Sequence, residues 1–381
     1  MAVRGEEGGR TRERQACLAL SLLPGMDPRT LRRLCSYHGS AAAAWERLEE
    51  TPPALLGGGR GGERRQGWER ARRSLDPQEE LEKLRARGIH LVLEGEEGYP
   101  PELGCIYDPP QALYQWGEAR PGGRLLAVVG SRRASAQGRH FAERLGAELA
   151  GAGIGVVSGG AYGVDAAAHL GALRVGGSNW AVLGHGLEHV YPAEHRELFN
   201  RIRGVGGLIS EYAPAVPPAA WHFPERNRII AGMCSGVVVV EGSERSGALI
   251  TAEYAMEEGR EVFAVPGSLA NPLTAAPHRL IQQGAKLITC LDDVLEELGW
   301  EVRPAEERSG EPREIPGDIP PLSAEESLLL EMLGSEPVSA DQLHSRFPGQ
   351  GFYLALSGLM VKGLVGEEAG GRFVRLHNNY Q

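Results

Sequence analysis

The 381-residue chain carries a formal net charge of −10 and five cysteines, and its longest apolar run, 229–240, is broken by glycines and by polar Ser235. Nothing in it is apolar enough over enough residues to span a bilayer, which excludes an inserted helix. Cys17, Cys35, Cys105, Cys234 and Cys290 are odd in number, scattered and without a CxxC pair, so neither a disulfide frame nor a zinc site is indicated. The length suits two or three domains. The charged opening "MAVRGEEGGRTRERQ" has no apolar signal core, so a cytoplasmic location is expected.

The negative average hides a pattern. Residues 1–75 carry about +5 and 124–230 about +3, while 231–320 carry about −9. Lys83, Lys286 and Lys362 are the only lysines, so the cations are nearly all arginines, which fork onto phosphate oxygens. A genomic bias toward arginine gives the same composition without any physical meaning.

Residues 1–75 read as a small helical module. One helix runs to Leu23, Pro24-Gly25 turns the chain, and Asp27-Pro28 is an N-cap followed by proline at the first helical position. The pattern resembles a helix-hairpin-helix or sterile-alpha-motif-like unit, which contacts nucleic-acid backbone in some proteins and only packs helices in others. The glycines and arginines from Gly57 to Arg73 read as a flexible stretch. From Pro77 to Gly117 a helix and a strand, Ile89 to Leu93, are followed by paired prolines. Proline cannot sit in central strands, so this piece is expected across the edge of the next domain.

Residues 76–295 supply strand after strand: "LLAVVG", "GIGVV", "NWAVLG", "GLIS", "GVVVVEG", "EVFAVPG" and "AKLITC" (285–290), with helical stretches between them. Apolar runs without alternation are strands buried on both faces, which predicts an α/β fold with an extended Rossmann-like, doubly wound, mostly parallel sheet. Five strands end in small residues: Gly130-Ser131, Ser158-Gly159-Gly160, Gly184-His185-Gly186, Gly242-Ser243 and Gly267-Ser268. Lined along one rim, their amides predict a shelf for several phosphates, with Gly163 closing the second turn. The dinucleotide fingerprint and the P-loop are both missing. In "HFPERNRIIAG", Arg226 and Arg228 flank Asn227 at a helix start and are expected to bring a guanidinium to the shelf. Trp221 and Phe223 are open to base stacking or core packing. His185, His189 and His195 do not have a ligand spacing, and no nucleophile elbow occurs, so no catalytic residue, metal or cofactor is assigned.

After an acidic, proline-rich linker (296–320), residues 321–381 read as three helices and a hairpin, the pattern of a winged-helix domain. Its third helix ends in the single cation Lys362. Groove binding needs several phosphate-neutralising side chains, so a protein-contact or accessory role is expected.

Seven motifs, "VVGSR", "SGGAYGVDAAAH", "LGHGLEHVYPAEH", "SEYAP", "FPERNRIIAG", "EGSERSGALITAEYAMEEGREVFAVPGS" and "HRLIQQGAKLI", occur in an order that resembles the DNA-processing protein A (DprA or Smf) family over roughly residues 80–295. The resemblance implies a non-enzymatic protein that binds single-stranded DNA, protects incoming strands during natural transformation and loads the recombinase RecA. It implies phosphate contacts from Gly130, Ser131, Arg132, Ser158, Gly159, Gly160, Gly163, Arg226, Asn227 and Arg228. It further implies a homodimer contact through His278, Ile281 and Gln282. The family's lysine near the Tyr-Pro turn is replaced here by Ala193 and Glu194. A second reading, a nucleotide-binding enzyme similar to the lysine-decarboxylase-like phosphoribohydrolases, rests on Ser246-Gly247, Thr251 and Glu253.

Overall fold

Strand β3 (Leu125–Val129) is the middle of seven parallel strands, because both of its faces are apolar. Leu125, Ala127 and Val129 point to one core and Leu126 and Val128 to another, the two-residue period of a strand covered on both sides. Fully burying residues of this size contributes about 1.5–3 kcal/mol each. The computed structural model describes residues 2–56, 61–301, 322–334, 337–347, 351–361, 364–368 and 371–375.

The other strands of the large sheet are β1 (Ile89–Leu93), β2 (Ala112–Trp116), β4 (Gly155–Ser158), β5 (Asn179–Leu183), β6 (Gly207–Ser210), β7 (Gly236–Val239), β8 (Glu261–Ala264) and β9 (Lys286–Leu287). Their order is β1-β2-β6-β5-β4-β3-β7-β8-β9. From β6 to β9 all pairs are parallel, whereas β2 pairs antiparallel with β6 and β1 with β2. The strand order reverses at β3 and β7, so their carboxyl ends open onto a crevice.

The helices before the sheet are α1 (Ala2–Ser21), α2 (Pro28–His38), α3 (Ala41–Glu46), α4 (Gly61–Arg72) and α5 (Pro77–Ala86). Those between the strands are α6 (Ala136–Gly151), α7 (Val164–Arg174), α8 (Arg196–Arg203), α9 (His222–Gly232), α10 (Gly247–Glu257) and α11 (Ala275–Gln282), followed by α12 (Leu291–Glu297). Helices α9, α10 and α11 share a core with one sheet face. Helices α6, α7 and α12 cover the other face, and α8 with the amino-terminal helices extends that layer toward β1 and β2.

Asp27 caps α2 as expected, with Pro28 at its first position. The stretch read as flexible is instead helix α4, with residues 57–60 outside the described residues. Trp68 is the reason: its ring is 1% exposed and its Nε1 donates to Pro24 O at 2.8 Å, which ties the helix to the Pro24-Gly25 turn. The edge piece does join the sheet edge, with β2 as an additional strand after the prolines. The last strand is shorter than the apolar run suggests, because Asp293 Oδ2 accepts from Thr289 N and Cys290 N and turns the chain into α12. Trp300 packs against that same core and under Arg124, so the packed unit continues to Trp300, past residue 295.

Of the linker, 302–320 lies outside the described residues, as does Lys362. The carboxy-terminal elements are α13 (Ala324–Met332), β10 (Val338–Ser339), α14 (Ala340–Arg346), α15 (Phe352–Val361), β11 (Val365–Glu368) and β12 (Arg372–Arg375). Ser323 and Glu326 form the expected capping box. The strands pair antiparallel in the order β10-β12-β11, around a small core of leucines and Phe352.

Candidate nucleic-acid interface

The five glycine-rich strand tips do share one rim, since β5, β4, β3, β7 and β8 are consecutive neighbours. Their amides, however, are largely engaged within the protein. Ser131 N donates to Glu241 O, Gly186 N to Val216 O, Gly242 N to Leu273 O and Gly267 N to His278 Nε2. At the second turn Gly159 N and Ala161 N both donate to Asp165 Oδ2, at 3.1 and 3.3 Å. The Ser158 hydroxyl is fully buried and donates to Val128 O at 2.7 Å. The open shelf of backbone donors expected from the sequence is therefore corrected to a rim that is mostly self-satisfied.

Two buried carboxylates replace the external anion. Asp165, in the first turn of α7, gathers the amides of the Gly159-Ala161 turn, and burial pushes its pKa up against the pull of Arg226. Glu241, 5% exposed, occupies the corresponding place at α6: its Oε2 accepts from Ser135 N at 2.8 Å and its Oε1 from Ser135 Oγ at 2.7 Å and Asn271 Nδ2 at 3.1 Å. A helix N-terminus attracts an anion through its unpaired N–H groups and its dipole. Here the chain supplies that anion itself, and Gly138 makes room for it, because a Cβ at 138 would lie 2.5 Å from the Glu241 carboxyl carbon.

Arg226 and Arg228 are the second correction. At least one guanidinium was expected to reach the shelf, yet the two are 5% and 6% exposed. Helix α9 begins at His222, two residues before Pro224, which turns both side chains inward. Arg226 Nη1 donates to Gly159 O at 2.8 Å and also to Val182 O, so it fastens the tips of β4 and β5 together. Burial lowers its pKa to about 10 while Asp165 works to raise it. Arg228 Nη2 forks onto both oxygens of Glu211 at 2.7 Å, and its Nε faces Asp108 at 3.6 Å. Burial disfavours the Arg228 charge, but Glu211 and Asp108 hold its pKa above the ordinary value. Asn227 is also buried and donates to Gly247 O.

What faces solvent on this rim is made of side chains. Arg132 is exposed at the tip of the first turn, and its guanidinium carbon lies 5.3 Å from the Phe223 ring centroid. The turn keeps that position because Val164 N donates to Ser131 O and Gly163, at φ +77°, lets the two loops touch. A Cβ on Gly163 would sit 2.2 Å from Ser131 O. Phe223 in turn meets Tyr191 at 5.4 Å. Tyr162 stands edge-on to His195 at 4.9 Å, and Trp221 to His222 at 4.0 Å. Tyr162, Tyr191 and Trp221 are 42%, 44% and 58% exposed, so their ring faces are available. His195 and His222 donate through Nδ1 to Gly160 O and Gly184 O, which anchors the rings beside them to the strand tips.

The result is an unpaired guanidinium, Arg132, on the Phe223 ring, with further exposed aromatic faces on the same rim. Aromatic faces accept any base, and a guanidinium without a carboxylate partner accepts phosphate. Tyr162, Tyr191 and His195 were not assigned from sequence; the available signal was that Tyr162 sits inside the second glycine turn and Tyr191 in the Tyr-Pro turn. Asp165 was also missed, because an acid in a helix's first turn ordinarily only complements the dipole.

The remaining assigned residues lie elsewhere. His278, Ile281 and Gln282 are on α11 beside the short edge strand β9, with Gln282 exposed and Ile281 partly packed into the core. Glu253 is exposed on α10 and makes no hydrogen bond or ion pair among the described residues, so the phosphoribohydrolase reading is not favoured. His185, His189 and His195 each bond a backbone carbonyl. Among the described residues no three His, Cys, Asp or Glu side chains cluster as a metal requires, and no helix is long and apolar enough to cross a membrane.

The sequence profile of the family described as DNA recombination-mediator protein A matches residues 90–299. The chain is 42% identical over 220 residues to the DNA processing protein DprA of Bacillus subtilis, a match that covers 57% of this chain and 74% of that one. The X-ray structure of DNA processing protein A from Streptococcus pneumoniae superposes with a TM-score of 0.60 at 35% identity, covering 74% of this chain and 95% of that chain. A structure of DNA processing protein A from Helicobacter pylori, described for its single-stranded DNA binding mode, superposes with a TM-score of 0.50 at 25% identity, covering 56% and 97%.

Proposed function

The chain belongs to the DNA recombination-mediator protein A family, and from that premise we propose that it binds single-stranded DNA without catalysing a reaction on it. The observation that carries the reading is Arg132, exposed and lying on the face of Phe223, which meets Tyr191, with Tyr162 and Trp221 also exposed. In this reading Arg132 takes a phosphate and the rings take successive bases. Gly130, Ser131, Gly160 and Gly163 shape the two turns that present them. Ser158, Gly159, Arg226, Asn227 and Arg228 act from beneath, by holding the strand tips in place.

The physiological setting we propose is the processing of incoming strands in natural transformation, in the cytoplasm, with handover to the recombinase RecA as partner. Self-association through α11, at His278, Ile281 and Gln282, is part of the same proposal. The H. pylori relative is described as a single-stranded DNA binder, which supports the reading.

Fluorescence anisotropy with labelled oligothymidylates tests it. The parent is expected to bind long oligomers more tightly than short ones, to weaken with salt and to prefer single strands over duplex. Arg132→Ala should weaken binding about tenfold or more while its unfolding free energy stays within about 0.5 kcal/mol of the parent, as for an exposed substitution. Unchanged affinity in that variant overturns the assignment.

A further inference from the structure

A crevice of about 1190 Å³ opens where the strand order reverses. Its walls come from the loop after β3 and the start of α6, from the loop after β8, and from Pro337 and Arg372 of the carboxy-terminal domain. That volume exceeds the roughly 300–1,000 Å³ of a pocket built around one small ligand. The carboxy-terminal hairpin is seated there by packing: Val374, fully buried, meets Ala136 at the first position of α6.

The lining is cationic in a chain of net charge −10. Arg133, Arg139 and Arg372 are exposed, and none of them makes an ion pair with a carboxylate among the described residues. Arg144 is already committed, over the Phe141 ring and to Thr289 O. Among the described lining residues the one carboxylate, Glu241, is buried and bonded to Ser135 and Asn271, so it presents little charge to an occupant. Val240 and Val265 give the floor an apolar strip. Arg133 follows Arg132 directly, so the crevice begins one residue from the aromatic row.

We propose that this crevice is the second segment of the single-strand path: a phosphodiester chain leaving Arg132 passes Arg133 and runs between α6 and the carboxy-terminal hairpin, with phosphates on Arg139 and Arg372. The proposal rests on the function proposed above. It makes the hairpin a wall of the binding channel and gives it a nucleic-acid contact from its strand face, independent of any helix entering a groove.

The test compares oligothymidylates of about 6 and about 20 nucleotides by anisotropy at several salt concentrations, on the full chain. Arg139→Ala with Arg372→Ala should weaken the long oligomer about tenfold and leave the short one unchanged, and the slope of log K against log salt should fall by about 1.4 for two lost phosphates. Arg139 also donates to Ala134 O, so Arg372→Ala alone is measured in parallel, with a smaller effect of the same kind expected. Replacement of both arginines by lysine should restore the slope. A double variant that binds both lengths like the parent, or that loses only the short oligomer, overturns the proposal. Arg132→Ala in the same assay reports on the first segment: if it leaves both lengths unchanged, the function proposed above fails instead.

Discussion

The loop at Arg132 and the start of α9 face each other across the same rim and carry the same side chain to opposite ends. Arg132 is exposed over a ring face, with no carboxylate beside it. Arg226 and Arg228 are buried, each beside an acid, Asp165 or Glu211. A guanidinium in water keeps its charge for a ligand. One removed from water retains its charge only through partners, and those partners then define its role. Motif position alone does not separate the two cases, because all three arginines lie in the motifs that carry the family resemblance, "VVGSR" and "FPERNRIIAG".

The comparison breaks most visibly at Arg226. Arg226→Ala leaves Asp165 buried without its counter-charge and frees the carbonyls of Gly159 and Val182. Removing one partner of a buried pair costs about 3–5 kcal/mol, so urea unfolding should show a loss of that size. Arg132→Ala should show almost none. An Arg226→Ala protein as stable as the parent but unable to bind oligothymidylate would reverse the two assignments.

A pH titration sharpens the buried side. His169, on the buried face of α7, shares a hydrogen bond between its Nδ1 and Asn179 Oδ1, and burial, with His195 and Arg226 nearby, lowers its pKa to about 4. Its unfolded value is near 6.5, so between those limits the unfolded chain binds a proton that the folded one refuses. Stability from this group is full above about pH 6.5 and declines as pH falls toward 4, by about 3 kcal/mol at the end. Asp165 and Glu211, both raised by burial, act in the opposite direction. The difference between the parent and His169→Gln isolates the histidine: the variant should lose this dependence in urea melts at pH 7 and pH 4.5. Equal acid sensitivity in both proteins would show that His169 does not carry it.

The sheet was legible because its parallel strands, β3 to β8, are apolar on both faces. The glycine tips announced where the chain turns, and they do lie on one rim. What remained hidden was where each polar group finds its partner. Asp165 and Glu241 fill the helix ends that the glycines seemed to leave open, and they do so from six residues downstream and from a different strand. Such pairings depend on tertiary proximity, which a linear motif does not encode. Helix α4 was missed for a related reason: one buried tryptophan outweighs the helix's seven glycines and arginines, which have no apolar period of their own.

On the exposed side, Phe223→Leu removes a ring that lies against Arg132 and Tyr191. Base stacking on an aromatic side chain is worth about 1–3 kcal/mol per base, so oligothymidylate affinity should fall about tenfold, with little change in the salt slope because no phosphate contact is lost. A steep drop in the slope instead would mean that Phe223 serves mainly to position Arg132.

The smallest effect concerns Glu194, which stands where the related proteins were expected to carry a basic residue. Tyr162 Oη donates to its carboxylate, and that bond lowers its pKa, so the group stays ionised at neutral pH within the aromatic row. A negative charge there repels a phosphodiester while it steadies the Tyr162 ring against His195. Glu194→Gln removes the repulsion and keeps an acceptor for the tyrosine, so affinity for oligothymidylate should rise about threefold at low salt and by less at high salt, as expected for an exposed charge. Tyr162→Phe provides the complement, since it breaks the bond without changing the charge and leaves the ring free to stack. If Glu194→Gln weakened binding as much as Tyr162→Phe did, the carboxylate's role would be to orient the ring, and the strand would pass too far from it to feel its charge.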